Sequence, residues 1–257
     1  MVKQHNKFHF AGVAIDDVTL DEACEIILNR LNTAEKGYAV TPNAQHIVLV
    51  QSDRDFRVAY SNAFLVLPDG HSIVMAAKLL GRKIKGRSAG SDLFPKICNM
   101  AFQNYKKVFF LGGTDGSEKR AAEKFRSLYK GIQIDFYSPS FGFERDSAGN
   151  SKIIERINSS KPDILAVFLG TPKSEKWINK NMVFLNVKFA ISLGSSIDFF
   201  VGEKRRAPKW IQNLGFEWCF RLIQEPRRLW RRYLIGNAIF IWLVIKEMVK
   251  KYDVSEI

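Results

Sequence analysis

Short, continuously apolar runs alternate with longer amphipathic ones along the first four-fifths of this chain. The apolar runs are Phe10–Ile15, Gly37–Thr41, Phe64–Pro68, Lys107–Leu111, Ile132–Tyr137, Ile164–Leu169 and Phe189–Leu193. Their length and the turn residues beside them predict strands. Apolar residues at three- and four-residue spacing predict helices over Leu20–Asn32, Ala44–Ser61, Ile73–Leu80, Asp92–Phe102, Ser117–Tyr129, Ser151–Ser159 and Ser174–Met182. A strand that is apolar at every position has no solvent face. The alternation therefore predicts an α/β fold, a parallel-sheet Rossmann-like core with helices on both faces. Such a sheet binds ligands beyond the carboxyl ends of its strands.

After Gly202 the alternation stops, and helix-rich basic sequence takes over, with Pro208 and Pro226 as breaks. We place a boundary there, with 1–202 as the α/β domain and 203–257 as a basic helical appendage. Lys204, Arg205, Arg206, Lys209, Arg221, Arg227, Arg228, Arg231 and Arg232 face only Glu217 and Glu225 within that stretch, and Trp210, Trp218 and Trp230 are threaded among them. Cations interleaved with amphipathic rings suit a surface where phosphate meets hydrocarbon: an anionic membrane, a nucleic acid or a lipid diphosphate. The apolar stretch Tyr233–Ile245 is interrupted by Asn237 and closed by Lys246 and Glu247. It is shorter than the roughly 20 residues that span a bilayer, so it is expected to lie on a membrane rather than cross it.

Composition narrows the picture without choosing a partner. The chain has 257 residues, 46% hydrophobic and 25% charged, with a net charge of +13, and so suits a folded protein with acidic partners. Three distant cysteines, Cys24, Cys98 and Cys219, form neither a disulfide framework nor a zinc site and point to a reducing cytosol. The first fifteen residues lack the apolar core of a signal peptide.

Five polar or glycine-rich clusters fall at predicted strand ends. Thr41-Pro42-Asn43 precedes a helix, where Thr or Asn serves equally as a cap or a ligand contact. Pro68-Asp69-Gly70 is a turn that also sets a carboxylate where a general base belongs. Gly112-Gly113 in the run Lys106–Ser117 lets backbone N–H groups approach phosphate, although G-G-x-x-G departs from the dinucleotide pattern despite Asp135 further on. Gly170-Thr171-Pro172-Lys173-Ser174 offers a cation, and Gly194-Ser195-Ser196-Ile197-Asp198 offers small residues and a carboxylate for ribose hydroxyls. Arg87, in Gly86–Asp92, either faces solvent or reaches an anion at the same edge. Together they predict a nucleotide-bearing substrate. Asp53-Arg54-Asp55 formally matches a metal-binding D-x-D, but it falls inside a helical pattern and reads as a solvated face. The four histidines lack ligand spacing, so no metal or cofactor is expected. Gly86–Gly90 spells Gly-x-Ser-x-Gly around Ser88, yet no buried strand precedes it and no histidine follows it, which argues against a hydrolase.

From Phe10 to Tyr233 these motifs resemble the WecG/TagA/CpsF glycosyltransferases. The resemblance is carried by Thr41-x-Asn43, Asp69-Gly70, Gly86-Arg87 with Gly90 and Asp92, Leu111-Gly112-Gly113, Gly170-x-Pro172-Lys173-x-Glu175 and Asp198-Phe199. It continues through Arg206-Ala207-Pro208-x-Trp210, Leu214-Gly215-x-Glu217-Trp218 and Arg221-Leu222 to Glu225-Pro226-Arg227-Arg228. It implies a cytoplasmic, inverting, metal-independent enzyme on the inner face of the membrane. Such an enzyme moves N-acetylmannosamine, its uronate or glucuronate from a UDP-sugar to a polyprenyl-diphosphate-linked saccharide. On that reading 1–202 is the UDP-sugar-binding catalytic domain and 203–257 a membrane-docking appendage. Asp69 matches the family's base, and Thr41, Asn43 and Arg87 match its substrate contacts. Ser174 departs from the family's usual Gln. Arg221, Arg228, Arg231 and Arg232 recur near helical spacing, and we expect them to close over the diphosphates while Trp230, Phe240 and Trp242 meet lipid.

Two other classes compete: a nicotinamide oxidoreductase, from the Gly112–Asp135 spacing, and a nucleic-acid-binding module, from the basic tail. The resemblance favours the transferase and no nucleic acid. An apolar tail of this kind also favours self-association away from a membrane, as a homo-oligomer.

Overall fold

The computed structural model describes residues 5–255 except 115, 141 and 214, and leaves out the side chains of 145, 213, 228, 232 and 251–255. The first predicted strand is corrected. It is a hairpin of β1 (Lys7–Phe10) and β2 (Val13–Asp16), because Ala11 and Gly12 both take positive φ (46° and 81°) and reverse the chain. Fully buried Asp16 docks the hairpin on the main sheet by accepting from the Val66 amide at 2.6 Å, and it pairs with His5 and Lys7.

The other apolar runs become β3 (Gly37–Val40), β4 (Leu65–Val66), β5 (Val108–Gly112), β6 (Ile134–Tyr137), β7 (Ile164–Phe168) and β8 (Phe189–Ser192). They form one six-stranded parallel sheet in the order β4-β3-β8-β7-β5-β6. Side chains alternate between two buried faces, Leu165 and Val167 to one, Ile164, Ala166 and Phe168 to the other. Both faces are covered, as the Rossmann-like reading requires.

The flanking helices are α1 (Leu20–Leu31), α2 (Ala44–Ser52), α3 (Arg54–Ser61), α4 (His71–Leu79), α5 (Gly90–Gln103), α6 (Ser117–Leu128), α7 (Ser147–Ser160), α8 (Lys173–Asn181) and α9 (Ser196–Val201). The predicted helix Ala44–Ser61 is two helices. Asp53 leaves helical geometry (φ −111°, ψ 106°), and its carboxylate accepts from the Phe56 amide at 3.0 Å, capping α3. Asp53 also pairs with Lys176 at 2.5 Å, so the D-x-D pair opens a helix rather than lying within one. Helices α2, α3, α4, α7 and α8 cover one face, and α1, α5, α6 and α9 the other. The neighbouring strands β3 and β8 therefore send their chains to opposite faces. A crevice opens between their carboxyl ends, as at the switch points of open α/β sheets.

Beyond Gly202 come α10 (Lys209–Asn213), α11 (Glu217–Gln224) and the long α12 (Pro226–Ser255). Pro226 starts α12, where a missing amide proton costs nothing. Phe240, Leu243 and Val244 of α12 join the core that holds Ile47 and Val50 of α2. Its outer side exposes Trp230, Leu234, Ile235, Ile239, Trp242 and Val249. Among the described residues no helix is long and apolar enough to cross a membrane.

Candidate active site

A cavity of about 800 Å³ fills the crevice, with Thr41, Asp69, Thr171 and Ser192 from the strand ends below and Arg221 of α11 and Asn237 of α12 above. Asp69 follows β4, and its amide donates to the Pro42 carbonyl at 2.8 Å. The amide of Ser88 donates to Pro68 at 2.7 Å, so two loops hold the turn. Gly70, next in line, takes φ +96°, a conformation strained for any side chain, which lets the chain leave β4 and enter α4 at once. Asp69 is thereby fixed at the crevice. Burial pushes its carboxyl up to about 6, and the Glu217 carboxylate adds to this, while Arg87, Arg221 and the Gly90 amide pull the other way.

Asn43 caps α2, its Oδ1 accepting from the amides of Gln45 (3.0 Å) and His46 (3.3 Å), and it also lines the cavity. Both readings of Asn43 therefore hold. Thr41 is buried and donates to the Ser192 carbonyl at 3.4 Å. Gly194 lines the cavity beside Ser195. Arg221 lines the roof, its guanidinium 5.4 Å from the centre of the Phe199 ring.

The other expected site residues stand elsewhere. Arg87 lies behind Asp69, donating to Glu217 at 2.9 Å and Gln212 at 3.0 Å. Arg206 grips Asp92 with two bonds of 2.6 and 3.1 Å, which hold the Asp92 carboxyl below its usual range although burial opposes this. These two arginines fasten the tail to the core. Asp198 is 3% exposed and pairs with Lys204 at 2.7 Å, while accepting from Thr114 at 3.0 Å. Lys173 pairs with Glu144 at 2.7 Å. Ser174 is fully buried, its Oγ accepting from the Leu169 amide at 3.1 Å to hold the turn after β7. Gly112 (φ +87°) packs so tightly that a Cβ would lie 2.8 Å from Leu169, and one on Gly113 would lie 2.5 Å from Ser117 Oγ. Asp135 pairs with Lys107 at 2.7 Å and accepts from Ser160. Packing therefore requires glycine at both positions of that turn, and Asp135 is engaged by Lys107 and Ser160. Ser88 is fully buried and donates to the Val18 carbonyl. Arg231 is exposed and lies over the Trp230 ring, and the side chains of Arg228 and Arg232 lie outside the described residues.

One network escaped the sequence reading. His46 Nδ1 meets the Tyr60 hydroxyl at 2.6 Å, and His46 Nε2 meets Thr171 Oγ1 at 2.8 Å. Thr171 donates to Glu175 Oε1 at 3.3 Å, and Ser192 donates to the same oxygen at 2.9 Å. Burial, helped by Glu175 and Asp69, raises the Tyr60 hydroxyl well above its ordinary range, so it stays protonated and available as a donor. The chain of bonds stiffens the cavity floor between α2, α3, β7 and β8. The spacing of the four histidines gives no sign of the role of His46. Its place in the first turn after the Asn43 cap, on the ligand-binding edge, was the usable signal. Among the described residues no cluster of three or more His, Cys, Asp or Glu side chains is arranged to hold a metal ion.

A carboxylate poised near neutrality, hydroxyls at the strand ends and an arginine in the roof can take a proton from a hydroxyl and receive a leaving phosphate. Comparisons with known proteins bear on this. The chain is 34% identical over 211 residues to a Bacillus subtilis protein, covering 82% of this chain and 80% of the relative. It is 33% identical over 204 residues to one from Bacillus spizizenii, 79% and 77% of the two chains, and 26% identical over 242 residues to one from Staphylococcus aureus, 93% and 92%. All three are named N-acetylglucosaminyldiphosphoundecaprenol N-acetyl-beta-D-mannosaminyltransferase. The model of the glycosyl transferase WecG/TagA/CpsF family matches residues 8–254. Nearly the whole chain is matched, and it belongs to the WecG/TagA/CpsF family of glycosyltransferases.

Proposed function

We propose that this enzyme transfers N-acetylmannosamine from a UDP donor to N-acetylglucosamine carried on a polyprenyl diphosphate, with inversion and without a metal, during cell-surface polysaccharide synthesis. The relatives' shared name supports the sugar and the acceptor. The observation that carries the mechanism is Asp69, a carboxylate raised to about 6 at the cavity floor. Asp69 takes the proton of an acceptor hydroxyl as its oxygen attacks the anomeric carbon. The bond from that carbon to the UDP oxygen breaks, and UDP departs with the electron pair. A single displacement inverts the centre. Arg221 in the roof meets the charge developing on the diphosphate. The apolar side of α12, with basic residues alongside, lies on the inner leaflet of the cytoplasmic membrane, where the acceptor is anchored.

The test is a panel of UDP-sugars assayed for UDP release against a synthetic polyprenyl-diphosphate N-acetylglucosamine, with and without EDTA. Acceptor-dependent release with UDP-N-acetylmannosamine, insensitive to EDTA, is expected. A faster rate with a uronate donor would displace the sugar assignment, and EDTA-sensitive turnover would refute the metal-free step.

A further inference from the structure

The cavity is polar at one end only. Along α12 its lining begins with Tyr233 and Asn237 and then becomes entirely apolar through Phe240, Ile241, Val244, Ile245 and Met248. From Tyr233 to Met248 the lining runs about 22 Å at the usual helical rise, and its apolar part from Phe240 about 12 Å. Facing the apolar part, α4 contributes Met75, Ala76 and Leu79 to the wall. Asp69, Thr41 and Arg221 belong to the polar end of this same cavity. The apolar end is open. Leu79 is 54% exposed and Ile241 57%, and both line the cavity, so this end reaches the surface.

A nucleotide-sugar offers such a wall only a uracil face, sugar C–H groups and an acetyl methyl, and no hydrocarbon chain to run along it. A lipid-linked acceptor has the matching gradient: a sugar, then a diphosphate, then hydrocarbon. We propose that the groove between α4 and α12 seats the first part of the acceptor's polyprenyl chain inside the protein, with its diphosphate at the Arg221 end. The proposal rests on the acceptor named above and deepens it. The enzyme then recognises its acceptor by the lipid as well as by the sugar. The bilayer would hold only the distal chain.

The test narrows the groove without changing its polarity. Leu79→Trp and Ile241→Trp are separate variants at exposed positions, neither within the catalytic machinery, and each keeps its surface apolar. Two acceptors share the N-acetylglucosamine diphosphate, one carrying a long polyprenyl chain and the other a butyl group. The expected result is a rise of about tenfold or more in KM for the long-chain acceptor, which is about 1.4 kcal/mol of binding. Both kcat and KM for the butyl acceptor stay at wild-type values. Sedimentation with vesicles of phosphatidylglycerol and phosphatidylcholine is also unchanged.

Equal responses to the two acceptors, or none to the long chain, would overturn the groove. A loss of vesicle binding parallel to the KM rise would assign these residues to the bilayer surface instead. A changed sedimentation coefficient with unaltered acceptor kinetics would assign them to a second copy of the chain. Direct binding of a fluorescent polyprenyl diphosphate separates this idea from the transferase reading. If wild-type enzyme transfers no sugar yet binds that lipid, and both variants weaken binding, only the reaction is wrong. If wild-type enzyme does not bind it, the groove is wrong.

Discussion

Replacing Asp69 by Asn is expected to stabilise the protein above neutrality while disabling it. The carboxyl stands at about 6 in the fold against 3.8 for a free side chain. Its folded pKa is the higher of the two, so the native state holds the proton more tightly. The contribution of Asp69 to stability is therefore fully present below about 3.8 and is lost as pH rises through about 6. The difference of about 2 units corresponds to about 3 kcal/mol at full ionisation, and the side of Asp69 facing cavity water lowers this toward 1–2 kcal/mol. Asn keeps the shape and removes the charge, and so removes that penalty. Urea unfolding at pH 8 should show Asp69→Asn more stable than wild type by about 1–2 kcal/mol, with the gap closing by pH 4. For a domain of this size that is several degrees in Tm. The same variant should lose about a hundredfold or more in kcat, as expected for a missing general base, while UDP still protects it against heat. A variant that is no more stable than wild type at pH 8, or that turns over normally, would refute the assignment of Asp69 as a half-buried base.

Other outcomes follow from its neighbours. Glu217→Gln removes the carboxylate that helps to raise Asp69, so the acid limb of the kcat–pH profile should move to lower pH; an unmoved limb would show that Glu217 does not act on the base. Thr171→Val takes away the hydroxyl that joins His46 to Glu175, and should cost about 1–3 kcal/mol in urea unfolding, with Thr171→Ser close to wild type. Equal stability of the Val and Ser variants would mean that the network contributes nothing to the floor.

The local pattern announced what depends on neighbours in the chain. Ile164–Leu169 reads as a buried strand because each residue is apolar, and it is β7 with both faces covered. Asp69-Gly70 reads as a strand-end turn because Gly admits a positive φ, and it is one. Errors arose where a single residue changed the path: Gly12 split one strand into a hairpin, and Asp53 split one helix into two.

The roles of the charged residues were beyond local reading, because an ion pair depends on distance in space. Arg206 and Lys204 look like free tail cations in sequence, yet they are spent on Asp92 and Asp198. Gly112-Gly113 looks like a phosphate loop, but Leu169 and Ser117 crowd the space beside it. His46 looks like an isolated histidine until α3 and the turn after β7 bring Tyr60 and Thr171 to its two nitrogens. The order of apolar and polar residues determined the sheet and its binding edge, and the ordered motifs from Thr41 to Arg228 carried the family resemblance. Tertiary packing decided which cations remain at the cavity, what raises Asp69 toward neutrality, and that α12 closes one long cleft with a polar end and an apolar one. The reason is physical: strand and helix preferences are set by residues a few positions apart, whereas burial and charge pairing are set by elements a hundred residues apart.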